Sequence, residues 1–179
     1  MRNLFLSVFV LFMITSCTQN KLDKQKALQL IVASKQYPKT IDFKINTADP
    51  NLVSQLINSD LEKAHLVTVE EPHSLGDMGS TVISFSSKAN PYLLPTTTDE
   101  KGFGIQRVKM AEEGNPQVTG VAMARDGKSA IAEFKTTYKN ITPFSVLAIS
   151  DLRKPNQHQA RFEFKDGEWK LTGIAEKNH

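Results

Sequence analysis

Apolar and polar positions alternate along most of the second half of the chain. Between residues 128 and 140, Ala130, Ala132, Phe134 and Tyr138 share one phase and the charged Glu133, Lys135 and Lys139 share the other, which is the period of a half-buried β-strand. Residues 103–110, 117–125, 159–165 and 168–174 read as further strands. The predicted inward-facing side chains are Ala130, Ala132, Phe134, Tyr138, Ala160, Phe162, Phe164, Trp169 and Leu171.

Two Asp-Gly pairs separate these strands. Asp126-Gly127 and Asp166-Gly167 each fit a two-residue hairpin turn, because both central positions of such a turn need backbone angles that Asp and Gly tolerate. The pattern therefore predicts a meandering antiparallel sheet of about five strands.

The first half of the chain carries the period of helices. Asp23 is a candidate N-cap for a helix that runs to about Lys35, and residues 40–46 alternate as a strand. Asp49-Pro50 is the clearest helix start in the chain, and an apolar stripe continues from Leu52 to Ala64, which predicts one helix as far as His65. Residues 66–71 and 81–86 read as two strands joined by a glycine-containing loop.

The order of elements predicts an α+β fold, with N-terminal helices and a mainly antiparallel sheet. Residues 90–101 contain two prolines and three consecutive threonines, without a usable period, and are read as a mobile loop or a weak internal boundary. Neither side of this segment has a complete core, so residues 23–179 are predicted to form a single domain.

The closing aromatic hairpin, residues 162–169, is similar to the last strands of cystatin-like and nuclear-transport-factor-like domains. The resemblance implies a curved sheet with a concave face. Aromatic side chains on such a face either line a ligand cavity or, more often, fill the core. The side chains named for that cavity are Phe134, Phe144, Phe162, Phe164 and Trp169.

The start of the chain has the pattern of an export signal. Arg2 precedes an uncharged apolar run from Leu4 to Ile14, which is shorter than the ~20 residues that a membrane-spanning helix needs. Ile14-Thr15-Ser16-Cys17 follows and resembles the lipobox of bacterial lipoproteins. The alternatives are an ordinary signal followed by an incidental thiol, and an uncleaved leader.

The lipobox resemblance implies a specific processing. Residues 1–16 would be the signal peptide, cleaved between Ser16 and Cys17. The Cys17 thiol would carry diacylglycerol, the new amino terminus would receive a fatty acyl group such as palmitate, and residues 17–22 would form a short tether. Thr18 rather than Asp follows the cysteine, which by resemblance to sorted lipoproteins favours the outer membrane, facing the periplasm.

Charge and cysteine content add to this picture. The net charge is +3, and residues 18–44 hold six lysines against Asp23 and Asp42, so the basic part lies next to the predicted anchor. A membrane-facing role and an ordinary lysine-rich helix surface explain this equally well. Cys17 is the single cysteine, so no internal disulfide is expected.

Catalytic, metal and nucleic-acid signals are weak. The histidines His65, His73, His158 and His179 show no i, i+4 zinc spacing, although His65 and His73 flank two glutamates and could converge across a turn. No dinucleotide fingerprint, phosphate loop or nucleophile elbow occurs. The helix predicted from Asp49 is acidic, which argues against DNA binding. We therefore expect no cofactor, no bound metal and no catalytic residue.

These observations favour a lipid-anchored envelope protein with a non-catalytic binding or scaffolding domain, whose partners are the membrane and another envelope protein. An envelope hydrolase, or a carrier of a small ligand, is the alternative. Either would need a cavity under the curved sheet, and the hydrolase would also need convergent ionisable side chains.

Overall fold

The elements of the chain follow the predicted α+β order. A computed structural model describes residues 21–70 and 81–177. The helices are α1 (Lys24–Ala33), α2 (Pro50–Leu56), α3 (Asp60–Lys63) and α4 (Thr98–Gly102), with 3₁₀ turns at Ser87–Tyr92 and Pro143–Leu147. The strands are β1 (Lys39–Asn46), β2 (Val67–Val69), β3 (Ile83–Phe85), β4 (Leu93–Leu94), β5 (Ile105–Glu113), β6 (Gln117–Met123), β7 (Ser129–Thr136), β8 (Tyr138–Lys139), β9 (Asn156–Lys165) and β10 (Glu168–Glu176).

The larger sheet has the antiparallel order β10-β9-β7-β6. The predicted inward positions of β7 and β9 are buried, and helix α1 covers them with Ala27 and Ile31. Asp23 caps this helix, as predicted, by accepting a hydrogen bond from the Lys26 N–H. Asp166-Gly167 forms the predicted two-residue turn, with positive φ angles at both residues. The prediction of such a turn at Asp126-Gly127 was wrong, because a longer loop, residues 124–128, joins β6 to β7 and only Gly127 has a positive φ. Helix and sheet thus form one apolar layer.

A second sheet has the order β1-β5-β4, and β8 also pairs with β5. Its apolar face forms a separate cluster with helices α2 and α3, the β2–β3 hairpin and the loop that contains Phe144. Ile45, Leu56 and Val108 are fully buried there. The described part of the chain therefore holds two apolar clusters, one on each sheet.

Two of the places where the chain crosses between the sheets are adjacent. Thr137 is the residue between β7 and β8, and residues 114–116 connect β5 to β6. The Gly114 N–H donates a 2.8 Å hydrogen bond to the Thr137 carbonyl oxygen, and a Cβ at position 114 would lie 3.1 Å from that oxygen. Glycine thus allows the two crossings to approach. Tyr138, predicted on the inner face of one long strand, belongs to the second sheet instead.

The helix predicted from Asp49 to His65 is two helices. Its start is correct, since Asp49 caps α2, but the helix ends at Leu56. Asn58 takes a left-handed backbone conformation, with a φ of 59°, and Ser59 caps α3 by accepting from the Glu62 N–H. Asn tolerates this conformation and Ser is a strong N-cap, so local preferences interrupt a continuous apolar stripe.

The segment 90–101 is more regular than predicted. The first 3₁₀ turn continues to Tyr92, β4 pairs with β5, and α4 begins after Thr97. Thr97 and Glu100 form a reciprocal capping box, in which each side chain accepts a backbone N–H from the other residue. Short regular elements thus form where the sequence shows no apolar period, because a capping box needs none.

Candidate functional site

Buried polar side chains meet where the two sheets join. Glu113 is the last residue of β5, Thr136 is the last residue of β7, and His158 lies near the start of β9. Lys39, the first residue of β1, is the register partner of Glu113. We call Glu113, Thr136, His158 and Lys39 the junction cluster. Because the cluster draws on both sheets, it links the two apolar layers.

Glu113 is the centre of the junction cluster. Its Oε1 accepts hydrogen bonds from the Thr136 hydroxyl at 2.5 Å and from His158 Nε2 at 2.7 Å, and Asn156 Nδ2 lies 3.4 Å from the same oxygen. Its Oε2 lies 3.1 Å from Lys39 Nζ. The Lys39 side chain is 42% exposed, whereas that of Glu113 is fully buried. The ion pair therefore runs from the interior to the surface.

The carboxyl group of Glu113 is ionised in the folded protein. Burial raises its pKa, but the hydrogen bonds from His158 and Thr136 and the charge of Lys39 outweigh burial and lower the pKa to about 2. Burial, and then the charge of Glu113, raises the pKa of the nearby Tyr37 and Tyr138 hydroxyls. The junction is thus built around one buried anion.

The surroundings of His158 define its tautomer. Nε2 faces the Glu113 carboxylate, and the buried Nδ1 has no hydrogen-bond partner. A neutral imidazole with its proton on Nε2 satisfies the carboxylate and leaves only a lone pair unpaired, so we assign that tautomer. The ring stacks on Phe134, with centroids 4.8 Å apart, and meets the edge of Tyr37 at 5.8 Å. His158 is therefore fixed on both faces.

A carboxylate–histidine pair has the chemistry of a general base, but access decides whether it works as one. The side chains of Glu113 and His158 are 0% and 1% exposed. Tyr37 and Phe134 pack against the ring, and the cavity that His158 and Phe134 help to line is small, about 160 Å³. The arrangement can stabilise the contact between the sheets, and it presents no reactive atom to solvent.

The five aromatic residues proposed for a ligand cavity do not come together. Phe134, Phe162 and Trp169 are buried in the cluster under α1, and Phe164 is half-buried with its ring 5.4 Å from that of Trp169. Phe144 lies in the other cluster, 5.9 Å from the ring of Tyr92. Placing Phe144 with the other four was wrong, because its 3₁₀ turn packs on the second sheet. The inner face of the larger sheet is filled by helix α1.

The predicted lipid site, Cys17, and the cleavage site after Ser16 lie outside the described residues. Leu22, which the sequence assigned to the tether, is 3% exposed and packs in the cluster under α1. The folded part therefore begins at Leu22, one residue earlier than expected.

Histidines and acidic side chains do not gather into a metal site in the described part of the chain. Residues 21–70 and 81–177 contain no group of three or more His, Cys, Asp or Glu side chains that could hold a metal ion. His65 is exposed, and His73 and His179 lie outside the described residues.

The inward and outward alternation along the strands could have located two members of the junction cluster. Thr136 and His158 occupy the same inward phase as Phe134 and Phe162, two and four residues away along β7 and β9. Glu113 gave no such signal, because a β-bulge at Ile41/Asp42 shifts the β1–β5 register and changes the phase along β5.

Comparison with known proteins identifies no family for this chain. The chain matches no family model, no curated protein and no solved structure. The resemblance of the closing hairpin to cystatin-like and nuclear-transport-factor-like domains accordingly stays a prediction. Within the described ranges, no helix combines the length and the apolar character needed to cross a membrane.

Proposed function

We propose that the chain is an envelope lipoprotein, anchored through acyl groups on Cys17, whose α+β domain binds or supports another envelope component without catalysing a reaction. The lipobox-like tetrapeptide Ile14-Thr15-Ser16-Cys17 carries this proposal, and the burial of Leu22 limits how far the folded part can lie from Cys17. Lys21 is only four residues beyond Cys17, so at full extension the tether reaches at most ~14 Å. A lipid on Cys17 would hold the folded part at the membrane surface.

Two features of the described residues favour binding over catalysis. The carboxylate–histidine pair is buried and serves the contact between the sheets. By contrast, three aliphatic side chains stay exposed around a cavity of about 450 Å³ in the loop before β9: Ile141, Val146 and Ile149. Exposed apolar side chains that lie together are typical of surfaces that contact other proteins.

The anchor is tested with the Cys17→Ser variant, expressed in a bacterial host beside the wild-type chain. We expect the wild type to fractionate with membranes and to carry fatty acyl groups at a mature N-terminus, as read by mass spectrometry. The variant should lose both acylation and cleavage after Ser16. Thr18→Ser, which leaves the lipobox intact, is the matched control.

An acyl-free mature N-terminus in the wild type would reject the proposal. So would a Cys17→Ser variant that is processed and membrane-bound like the wild type. The outer-membrane assignment has its own test, because Thr18→Asp should move the acylated protein to the inner membrane.

A further inference from the structure

The chain enters the folded part at one tip of the larger sheet. Lys21 lines a cavity of about 560 Å³ together with Arg125, Lys128 and Phe164. Arg125 and Lys128 lie in the turn between β6 and β7, and Phe164 lies near the end of β9. The Phe164 N–H donates a 2.7 Å hydrogen bond to the Lys128 carbonyl oxygen, so the two hairpins are held together there. We call these four residues the tether-end surface.

The tether-end surface is cationic. Lys21, Arg125 and Lys128 are exposed, and none of the three forms an ion pair with another residue in the described ranges. Asp126 also lines the cavity, but its carboxylate already accepts hydrogen bonds from the Lys128 and Ser129 N–H groups. Three cations without an ion-pair partner therefore lie beside one carboxylate, and that carboxylate accepts hydrogen bonds within its own turn.

The cavity also has an apolar part. Phe164 and Met123 are half-buried and line it beside the three cations. Basic side chains next to an aromatic ring suit the boundary between headgroups and acyl chains, where phosphate oxygens meet the first methylene groups.

We propose that the tether-end surface binds anionic phospholipid headgroups of the membrane that holds Cys17. This inference rests on the proposed lipid anchor. The tether limits Lys21 to ~14 Å from the acylated sulfur, so all three cations lie near the membrane surface. Electrostatic attraction decays over a Debye length of ~8 Å at physiological salt, so the cations must come closer to the headgroups than the fully extended tether would allow, which a bent tether permits.

Binding at this tip fixes the orientation of the domain. The Lys165 end of β9 would face the membrane. The Asn156 end lies nine residues away along the strand, ~30 Å at the usual rise per residue. The exposed loop that precedes Asn156, with Ile149, would therefore face away from the bilayer.

The test uses the acylated full-length mature protein in vesicles of phosphatidylcholine, with or without about one third phosphatidylglycerol. Cys17 is the single cysteine and its sulfur would be blocked by lipid, so a new cysteine is a unique site for a fluorophore. Ala124→Cys places the label at the tether-end surface, and Ser150→Cys places it in the loop before β9. Quenching by a headgroup-attached quencher lipid then reports which end approaches the bilayer.

We expect the Ala124→Cys label to be quenched more strongly in vesicles with phosphatidylglycerol, and the Ser150→Cys label to be quenched weakly in both. Each removed cation should lower the docked population roughly fivefold. The combined Lys21→Gln, Arg125→Gln and Lys128→Gln variant should therefore lose the effect. The matched control removes three exposed lysines elsewhere, in Lys88→Gln, Lys101→Gln and Lys154→Gln, and should keep it.

The outcomes separate the inference from the anchor. If the vesicles retain the protein but both labels are quenched equally, or phosphatidylglycerol makes no difference, or the two triple variants behave alike, the headgroup site is rejected and the anchor stands. If the vesicles do not retain the wild-type protein, the anchor and the inference that rests on it both fail.

Discussion

Glu113 Oε1 lies 2.7 Å from His158 Nε2, with both side chains buried and the two residues 45 positions apart in sequence. Glu113 ends a strand of one sheet, and His158 lies near the start of a strand of the other. Polar contacts of this kind cost desolvation and repay it only when their geometry is satisfied. Here three neighbours donate to the carboxylate or neutralise its charge, so the pair should matter to the stability of the fold.

The first prediction concerns the loss of this charge. Glu113→Gln keeps the size of the side chain but gives up the charge-assisted bonds to His158 and Lys39, so we expect the free energy of unfolding to fall by about 1–3 kcal/mol. Urea denaturation measures the change. Glu112→Gln removes the neighbouring carboxylate, whose side chain is 38% exposed and pairs with Lys109, and should cost less because water screens that pair. Equal losses in the two variants would contradict a special role for Glu113.

The second prediction concerns acid. The pKa of Glu113 in the folded protein, about 2, lies below its ordinary value of 4.5. The stabilisation from the ionised form is therefore fully present above pH 4.5 and is lost as the pH falls towards 2. The difference in unfolding free energy between wild type and Glu113→Gln should shrink over that window when urea denaturation is repeated at each pH. A difference that stays constant down to pH 2 would show that the charge is not its source.

The third prediction concerns Phe134, which packs under the His158 ring and is 1% exposed. Phe134→Ala should lower the free energy of unfolding by about 3–5 kcal/mol, because it leaves a cavity against helix α1. Phe103 is 74% exposed, so Phe103→Ala should change the unfolding free energy by no more than about 0.5 kcal/mol. Thermal and urea denaturation of the two variants give the comparison, and similar costs would argue against the filled inner face described for the larger sheet.

The fourth prediction concerns the break between α2 and α3. Asn58 has a positive φ, and its N–H donates to Glu62 Oε2 at 2.7 Å. Asn58→Ala should cost roughly 1–2 kcal/mol, because alanine tolerates this conformation poorly, whereas Asn58→Gly should be nearly neutral. Asn51→Ala, which removes the same amide from an exposed helical position, is the control and should cost nothing. If Asn58→Ala is as stable as wild type by urea denaturation, the helix does not need to break there.

The strands of the larger sheet and its closing turn were predictable because each carries its own local signal. The alternation of Ala130, Ala132 and Phe134 defines a buried face without reference to the rest of the chain, and the Asp166-Gly167 turn defines the register of β9 and β10. The cap at Asp49 was equally local. The broken helix at Asn58 was not found, because a continuous apolar stripe and a strong internal N-cap make opposite predictions.

The junction cluster could not be assembled from the sequence. Each of its members is an ordinary polar residue in a strand. They come together only because the two sheets meet at this point, and no local sequence pattern predicts how two sheets meet. Phe144 was misplaced for the same reason, since aromatic residues fit either cluster. The lipid anchor is the opposite case, because a short linear motif predicts it and the folded residues neither require nor contradict it.

The bond from the Gly114 N–H to the Thr137 carbonyl has a mechanical consequence. Two chain crossings between the sheets meet at this point, and Glu113 directly precedes Gly114. A third connection, residues 140–155, runs from β8 to β9. A force applied between the tip of the larger sheet at Lys21 and the loop around Ile149 would therefore load the Gly114–Thr137 bond and the buried Glu113–His158 pair together with these connections, and the junction would resist bending of one sheet against the other.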